Sequence, residues 1–321
     1  MEGDIKMDVI TFGESMVLFN PDSNGPLRYV NNFNKSIAGA ESNVAIALVR
    51  LGLNSGWFSK LGDDEFGRYI LSIIRGEGVD VSRVKTDEEN STGILFKERF
   101  SSINPNVYYY RKNSAASYLK PEDIDEEYIK SAKLIHITGI TPALSKSCRE
   151  TVFEVIKIAK KHNIKISFDP NIRLKLWNQE EAKNTLLEIA KSADIIFPGI
   201  DEGKILLDAD TPEEIADKFM ELGCSVVAVK LGKEGCYVKN HSESHYVKGY
   251  GVNKVEDTVG AGDGFAAGFL SGIIKKESLY ECANLGNAVG AMATMVIGDM
   301  EGYPTYKQLM QFIGKNKVID R

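Results

Sequence analysis

Short apolar runs rich in β-branched residues alternate with amphipathic stretches of helical length along most of this chain. The runs at 8–12, 133–139, 164–169, 194–199 and 225–232 have the length and composition of buried strands. Strands that alternate with helices in this way are typical of a parallel sheet covered by helices. The pattern therefore predicts an α/β fold with a central, mostly parallel sheet.

The helices are placed by their periodicity and their end signals. A helix is predicted over 41–51, because Gly52 follows the last residue that fits the helical apolar pattern. A second helix is predicted over 63–76, after a strand within 56–62. The last third of the chain is mainly helical, with helices predicted over 261–276, 279–297 and 305–315.

Two segments break the alternation of strands and helices. Residues 14–37 contain short strands with Asn, Pro and Gly turns, and residues 91–112 have the pattern of a hairpin around "SSINPN". Neither segment contains a helix to cover its strands, so we expect the two to pair into a small β-sheet lid over the main domain. No linker or repeat divides the chain, and its length suits one large domain. We therefore predict a single domain over 1–321.

The charge balance restricts the partners of the chain. Its 39 basic and 45 acidic residues leave a net charge of −6, so it lacks the basic field that binds nucleic acids or anionic membranes. The four cysteines form no C-x-x-C pair, and His241 and His245 lie in a polar stretch that favours a hairpin turn over a zinc site. With no signal peptide and no long apolar run, we expect a cytoplasmic protein.

The segment with the clearest chemical meaning is "DTVGAGDGFAAGFLSG", 257–272. Its glycines, Gly260 and Gly262 among them, lie at the start of a predicted helix, where free backbone N–H groups and a partial positive charge bind anions. Asp263 falls in the first turn of that helix. The alternative is a glycine-rich bend with an acidic residue beside it. Neither a P-loop nor a G-x-G-x-x-G after the first strand is present, which disfavours those nucleotide-binding folds.

This segment resembles the D-T-x-G-A-G-D motif of the ribokinase-like, PfkB-type carbohydrate kinases. The family's N-terminal motif is matched by "AGAESNVAIALVRLG", 38–52. The two motifs stand in the family's order, and the resemblance covers nearly the whole chain. It implies an α/β domain with a β-lid and transfer of the ATP γ-phosphate to a sugar hydroxyl.

The resemblance also implies roles for the residues of the glycine segment. Asp263 matches the catalytic base, and the backbone around Gly260, Ala261 and Gly262 matches the anion hole. A helix N-terminus stabilises a carboxylate by ~0.3–1 kcal/mol, which lowers its pKa by less than one unit. We therefore expect Asp263 to be ionised at neutral pH and to act mainly by orienting the hydroxyl, because a loose phosphoryl-transfer transition state needs little early deprotonation.

For ATP, the resemblance points to "KLGKEGC", 230–236, with Lys230, Gly232 and Gly235 near the nucleotide. Asn287 matches a late asparagine near adenine, and the alternative is an amide on a helix surface. Gly260, Gly262, Asn171 and Arg173 complete the predicted ATP contacts.

Magnesium is implied by the phosphates of ATP. The family's N-x-x-E motif has become Gly199-Ile200-Asp201-Glu202, so the asparagine is missing. Glu202 keeps the acidic position, which implies an indirect contact with Mg²⁺ through water.

Three segments resemble the 2-keto-3-deoxygluconate kinase branch of the family: 12–20, 108–117 and 168–177. Ribokinase and fructokinase relatives carry a sugar-binding aspartate after the first strand, where this chain has Leu18. The leucine argues against a neutral furanose as substrate.

A sugar acid carries a carboxylate, which the fork of an arginine side chain matches. The branch implies that Tyr109 and Arg111 extend from the lid to the sugar acid, and that Arg173 lies between the substrate and the ATP phosphates. For Arg111 the alternative is a solvated charge at a strand end. Gly39, Asn43 and Asp263 are the other predicted substrate contacts.

The expected activity is ATP-dependent phosphorylation of the terminal 6-hydroxyl of 2-keto-3-deoxygluconate by direct in-line transfer. A fructokinase, a kinase of another keto sugar or sugar acid, and a binding protein without catalysis remain alternatives. A closing lid would exclude water. Exposed lid strands also need cover, so we expect a homo-oligomer formed through them.

Overall fold

The computed structural model describes residues 6–100 and 103–315. Within these residues the strands are β1 (Met7–Phe12), β2 (Met16–Pro21), β3 (Phe33–Ala38), β4 (Ser55–Phe58), β5 (Lys60–Gly62), β6 (Lys85–Asp87), β7 (Ile94–Phe100), β8 (Ile103–Tyr110), β9 (Ala132–Thr138), β10 (Lys165–Asp169), β11 (Ile195–Ile196), β12 (Val226–Lys230), β13 (Gly235–Asn240) and β14 (Ser244–Lys248). The α-helices are α1 (Ala40–Arg50), α2 (Glu65–Gly76), α3 (Glu126–Lys130), α4 (Thr141–Leu144), α5 (Lys146–Lys161), α6 (Gln179–Ala190), α7 (Ile200–Leu207), α8 (Pro212–Glu221), α9 (Ala261–Lys275), α10 (Leu279–Ala293) and α11 (Tyr306–Phe312).

The large sheet has eight strands in the order β14-β13-β12-β11-β10-β9-β1-β4. The strands from β4 to β12 in this order run parallel, and β13 and β14 are added antiparallel at one edge. The predicted α/β fold with a mostly parallel sheet is confirmed.

Alternate residues of each central strand enter different cores on the two faces of this sheet. Val9 and Leu134 pack into one cluster with α1, α9 and α10. Their neighbours Ile10 and Ile135 pack into the other, with α5 and α6. Burial on both faces explains why the strands are continuous apolar runs in the sequence.

Some predicted boundaries were wrong. The helix predicted over 279–297 ends at Ala293, because the carbonyl of Thr294 accepts hydrogen bonds from the N–H groups of Glu256 and Asp257, which draws the chain toward the glycine segment. The strand predicted over 194–199 has two ladder residues, since Pro198 cannot donate to a ladder. The helix predicted over 305–315 is shorter, Tyr306–Phe312.

A second, smaller sheet of four strands has the order β3-β2-β7-β8, which we call the lid sheet. Strands β2 and β3 come from the first predicted insertion, and β7 and β8 from the second. The tip of the second hairpin, Ser101 and Ser102, lies outside the described residues. The division into one domain with this lid stays a prediction.

The underside of the lid sheet is apolar. Met16, Leu18, Ala38 and Leu95 form a small buried cluster there. Leu18 is fully buried within it, so its side chain serves packing. The four cysteines are free and buried. No helix among the described residues is long and apolar enough to span a bilayer.

Candidate active site

A cleft of about 730 Å³ lies between the lid sheet and the carboxyl edge of the large sheet. Parallel α/β sheets bind ligands at this edge, because the loops after several strands meet there. Here β1 is followed by Glu14, β10 ends at Asp169, and β12 ends at Lys230. Eleven of the predicted site residues line the cleft: Gly39, Asn43, Tyr109, Arg111, Asn171, Arg173, Glu202, Lys230, Gly260, Gly262 and Asp263.

The glycine segment forms the start of α9 at the floor of the cleft. Gly260 precedes the helix in the left-handed region, with φ +79°. A Cβ atom there would lie 2.0 Å from the carbonyl oxygen of Asp299. The Tyr303 hydroxyl donates to the Gly260 carbonyl at 2.8 Å. The loop is thus held by contacts that only glycine permits, with the first N–H groups of α9 at the cleft.

Gly260 and Gly262 offer a matched pair of substitutions. We expect Gly260→Ala to lower the melting temperature clearly, because it adds left-handed strain of ~1–2 kcal/mol and a clash with Asp299. Gly262 is helical, and its nearest neighbour would be Lys230 Nζ at 3.8 Å, so Gly262→Ala should leave the melting temperature nearly unchanged. Thermal unfolding of both variants checks this. Equal melting temperatures would contradict the role given to Gly260.

Asp263 lies in the first turn of α9, and its environment corrects the sequence-based expectation. Burial raises its pKa to about 7; the like charges of Asp169 and Asp299 add to the increase, while Asn43 and Arg173 oppose it. The expectation of an ordinary, fully ionised aspartate was wrong, because it considered only the helix N-terminus and not the dry cleft or the neighbouring carboxylates.

Asn43 fixes the orientation of Asp263. Its side-chain amide donates to Asp263 Oδ2 at 2.8 Å, across 220 residues of sequence. The other amide atom, Asn43 Oδ1, is buried without a partner among the described residues. Asn43 was predicted to bind substrate hydroxyls. The structure adds that its amide joins α1 to α9 at the carboxylate.

Lys230 lies at the end of β12, with its ammonium bonded to Asp169 at 2.9 and 2.7 Å. Burial alone would lower the pKa of Lys230, but Asp169 and Glu202 raise it above its usual range. The side chain is therefore a fixed cation beside the start of α9. Such a cation would stabilise negative charge that develops on a transferred phosphoryl group.

The carboxylate of Glu202 is held by backbone donors. It accepts hydrogen bonds from Gly199 N at 2.7 Å and from Ile172 N at 2.9 Å. Gly199 is the residue before α7, so Glu202 caps that helix, and no side chain at Gly199 shares the task. Burial raises the pKa of Glu202. Its spare lone pairs suit a contact through water.

The carboxylates of the cleft suit a magnesium ion. Mg²⁺ in proteins usually takes one or two carboxylates and fills its other positions with water and phosphate oxygens. Asp169 and Glu202 supply carboxylates at the cleft. No cluster of three or more His, Cys, Asp or Glu side chains in the described ranges could hold a metal by itself. These donors fit an ion that arrives with the phosphates of a nucleotide.

The lid contributes a buried ion pair that the sequence did not reveal. The Arg111 guanidinium contacts the carboxylate of Glu14, which is fully buried and also accepts a hydrogen bond from the Ser114 hydroxyl. Arg111 is thus not a solvated charge at a strand end. Its Nε is buried and has no partner among the described residues. Glu14 holds the side chain in place.

Tyr109 pairs with Leu95 in the lid sheet, so both face the cleft. The guanidinium of Arg111 lies 5.5 Å from the centre of the Tyr109 ring. Tyr108 and Tyr110 alternate with Tyr109, and both are exposed. Arg173 lines the cleft and also the larger cavity that opens beside it.

Two further residues at the cleft concern packing. A Cβ on Gly39 would lie 2.7 Å from the Glu14 carbonyl, so Gly39 lets two chain segments meet. Glu41 was missed by sequence reasoning. It is fully buried, and it accepts hydrogen bonds from the hydroxyls of Thr138 at 2.5 Å and Thr141 at 2.6 Å. Burial raises the pKa of Glu41.

A second cavity, of about 360 Å³, adjoins the cleft and shares Lys230, Thr258 and Gly262 with it. Its lining is mainly apolar, as expected for a heterocyclic base. The remaining predicted ATP residues, Gly232, Gly235 and Asn287, line this cavity together with Ala261.

Two of these residues have contacts that explain their identity. A Cβ on Gly235 would lie 2.1 Å from the Val247 carbonyl, so this glycine is required by the packing of β13 on β14. Asn287 is buried, and its amide donates to the same carbonyl at 2.9 Å. It is therefore not an amide on a helix surface. Asn171 is also buried, in a left-handed conformation with φ +37°.

An apolar cavity that leads over a helix N-terminus to a carboxylate is the arrangement of an enzyme that transfers a phosphoryl group. The family described as pfkB family carbohydrate kinase matches residues 6–306. The chain belongs to this family.

Individual relatives extend the comparison over the full length. The chain is 45% identical to the 2-dehydro-3-deoxygluconokinase of Bacillus subtilis, with 98% of each chain covered. It is 33% identical to a 5-dehydro-2-deoxygluconokinase of Clostridium perfringens, over 97% of this chain and 94% of that protein. Its fold is similar to a crystal structure of a putative ribokinase II from E. coli in complex with ATP and Mg²⁺. That comparison has a TM-score of 0.90 and 28% identity, with 97% and 100% of the two chains covered.

Proposed function

We propose that the protein transfers the γ-phosphoryl group of ATP to the terminal 6-hydroxyl of 2-keto-3-deoxygluconate, also called 2-dehydro-3-deoxygluconate. The observation that carries the proposal is the presence of Asp263 in one cleft with two arginines, Arg111 and Arg173. Arginine is suited to a carboxylate, and an aspartate at a helix N-terminus is suited to a hydroxyl that receives a phosphoryl group. The Bacillus subtilis relative, named for the same substrate, supports it.

In this proposal the sugar acid lies between the lid and α9. Arg111, held by Glu14, and Arg173 bind its carboxylate, and Tyr109 packs over it from the lid. Asn43 and the backbone at Gly39 contact the hydroxyls. The terminal hydroxyl lies against Asp263, which orients it and accepts its proton as the bond to phosphorus forms.

The nucleotide occupies the second cavity, with adenine near Asn287 and the turn at Gly232 and Gly235. Its phosphates pass Lys230 and Asn171 toward the N–H groups of Gly260, Ala261 and Gly262. The γ-phosphoryl group then faces the sugar in line with its leaving group, and these N–H groups and Lys230 stabilise the charge of the transition state. Magnesium, placed by Asp169 and through water by Glu202, would neutralise phosphate charge.

The 33% identity to a 5-dehydro-2-deoxygluconokinase favours a second candidate of the same class. That substrate is also a keto sugar acid, so the arginines do not separate the two. Fructokinase stays a further alternative, against which Leu18 argues. A binding protein without catalysis is disfavoured because the glycine segment and Asp263 are intact.

A coupled assay of ADP release separates these candidates. The substrates are 2-keto-3-deoxygluconate, its galactonate epimer, 5-dehydro-2-deoxygluconate, fructose and ribose, each at varied concentration. We expect the highest kcat/KM for 2-keto-3-deoxygluconate. A higher value for fructose or ribose would contradict the sugar-acid assignment, and no ADP release with any sugar would contradict a kinase.

We also propose a homo-oligomer formed through the lid strands. The face of the lid sheet opposite the cleft carries the half-buried rings of Phe19 and Phe96, stacked at 4.8 Å. Phe19 also packs on Phe66 of α2, whereas Tyr110 contacts Phe96 and is 65% exposed. Burial of such a face favours a second copy. Light scattering tests this, and a monomer would contradict it. We also propose a cytoplasmic location, which the free thiols support, and no nucleic-acid partner, which the net charge of −6 supports.

A further inference from the structure

Lys97 is a buried lysine for which the proposed reaction has no role. It lies on lid strand β7, and its side chain is 2% exposed. Its ammonium contacts Asp299 at 2.9 Å and Asp257 at 3.2 Å, and both of these carboxylates are buried. Burying a cation is costly unless it is paired, so these two carboxylates account for its presence there.

The two aspartates flank residues 258–262, which we call the glycine loop. Asp257 precedes it in sequence, and its Oδ1 accepts a hydrogen bond from Val259 N at 3.1 Å. Asp299 packs its carbonyl against the α-carbon of Gly260, and its side chain lines the cleft. The Lys97 ammonium therefore joins the segment at Asp257, which leads into the anion site, to the segment at Asp299, which packs against Gly260.

Residues of β7 on either side of Lys97 also connect the lid sheet to the main domain. Leu95 and Lys97 are two residues apart on the strand and face the main domain. Arg99 follows at a β-bulge and also contacts the main domain. Leu95 lines the cleft, and Arg99 donates to the Glu256 carbonyl at 3.1 Å. The strand that covers the substrate thus also holds the entry to the glycine loop.

We propose that Lys97 is a positioning residue, whose ammonium holds Asp257 and Asp299 on either side of the glycine loop. The geometry of the anion site then depends on the packing of lid strand β7 against the main domain. The inference rests on the proposed phosphoryl transfer. Lys97 acts through these two aspartates on the backbone at Gly260. Displacement of the loop would affect the transition state more than the binding of either substrate, because the anion hole acts on charge that develops during transfer.

Lys97→Met removes the charge and keeps most of the side-chain volume. We expect kcat to fall at least about tenfold, since small displacements at a transition-state site have large effects on rate. The KM values for sugar and ATP should change less than about threefold. Lys60→Met is the matched control. Lys60 pairs with the half-buried Asp123 at 2.7 Å and does not line the cleft. It should lose thermal stability but keep kcat within about twofold.

Chemical rescue separates a positioning charge from simple packing. In Lys97→Ala we expect ammonium or methylammonium chloride to restore part of kcat, because a small cation can enter between the two carboxylates. Tetramethylammonium chloride at equal concentration should not. The proposal is wrong if Lys97→Met keeps the wild-type kcat. It is also wrong if Lys60→Met, at the same loss of melting temperature, loses as much kcat as Lys97→Met.

Amide hydrogen exchange keeps the test independent of the sugar. Without substrate, Lys97→Met should exchange faster than wild type at 257–263, and Lys60→Met should not. Unchanged exchange there overturns the proposal even if the wild type phosphorylates none of the sugars tested. Should Lys97→Met fail to fold, Asp257→Asn replaces it, because Lys97 then keeps Asp299. The same rise in exchange is expected, and its absence is again contrary evidence.

Discussion

Asp263→Asn should lower kcat by about 10²–10⁴-fold, the range that general acid–base groups contribute, while the KM values change little. Asparagine keeps the size of the side chain and can still accept the hydrogen bond from Asn43, so geometry is preserved while the proton acceptor is lost. Steady-state ADP release measures the effect. Glu214→Gln, at an acidic residue in the first turn of α8, is the control and should keep wild-type kcat. An active Asp263→Asn enzyme would refute the assignment of the base.

The pKa of Asp263 adds a pH dependence to this prediction. Because burial raises it to about 7, Asp263 is partly protonated in the free enzyme at neutral pH. The kcat/KM of the wild type should therefore fall as the pH drops below about 7, whereas an ordinary aspartate would place that fall near pH 4. A flat profile between pH 5 and 7 would contradict the raised pKa.

The same shift implies that Asp263 opposes folding when it is charged. Its folded pKa lies above the unfolded value of 3.8, so the destabilisation is fully present above about pH 7 and disappears as the pH falls toward 3.8. At pH 8, Asp263→Asn should therefore have a higher melting temperature than the wild type, and its free energy of unfolding should be larger by up to a few kcal/mol. The difference should shrink toward pH 5. Thermal unfolding at both pH values measures it.

Arg111→Ala should raise the KM for a sugar acid by roughly 10- to 100-fold, the effect of losing a hydrogen bond between charged groups. The KM for a neutral sugar should change only a few-fold, and the KM for ATP, placed in the other cavity, should stay nearly constant. Kinetics with both kinds of sugar test this. An equal loss on both would contradict carboxylate recognition by Arg111.

Arg111→Ala also leaves Glu14 buried without its cation, which typically costs about 3–5 kcal/mol of stability. The double variant Glu14→Gln with Arg111→Ala is therefore the control, because glutamine is neutral and leaves no unpaired charge buried. It should recover much of the lost melting temperature while the KM for the sugar acid stays high. If the double variant also restored the KM, the defect would be one of folding and not of recognition.

The parts of the site that were predictable are local in sequence. The start of α9 was placed correctly because Gly260, Gly262 and the small residues after them occupy consecutive positions. The order of strands and helices followed from the apolar periodicity, and its errors fell where a tertiary contact or a proline ends an element early, as at Ala293 and Pro198.

The parts that were missed are long-range pairs between polar side chains. Glu14 with Arg111, Glu41 with its two threonines, and Lys97 with its two aspartates each join residues far apart in the chain. A buried lysine or glutamate looks like any surface charge in a sequence, since only the fold determines which partner faces it. Lys97 within "FKERF" carried no signal of its burial.

The sequence by itself determined the α/β class, the family and the position of the glycine segment, because periodicity and contiguous motifs express local backbone requirements. The tertiary structure alone decided the protonation of Asp263, which depends on the dry cleft and on Asp169 and Asp299. It also decided that Asn43 holds Asp263 and that Lys97 ties the lid to the glycine loop. Such electrostatic properties arise from burial and from charges brought together by folding, which no local pattern contains.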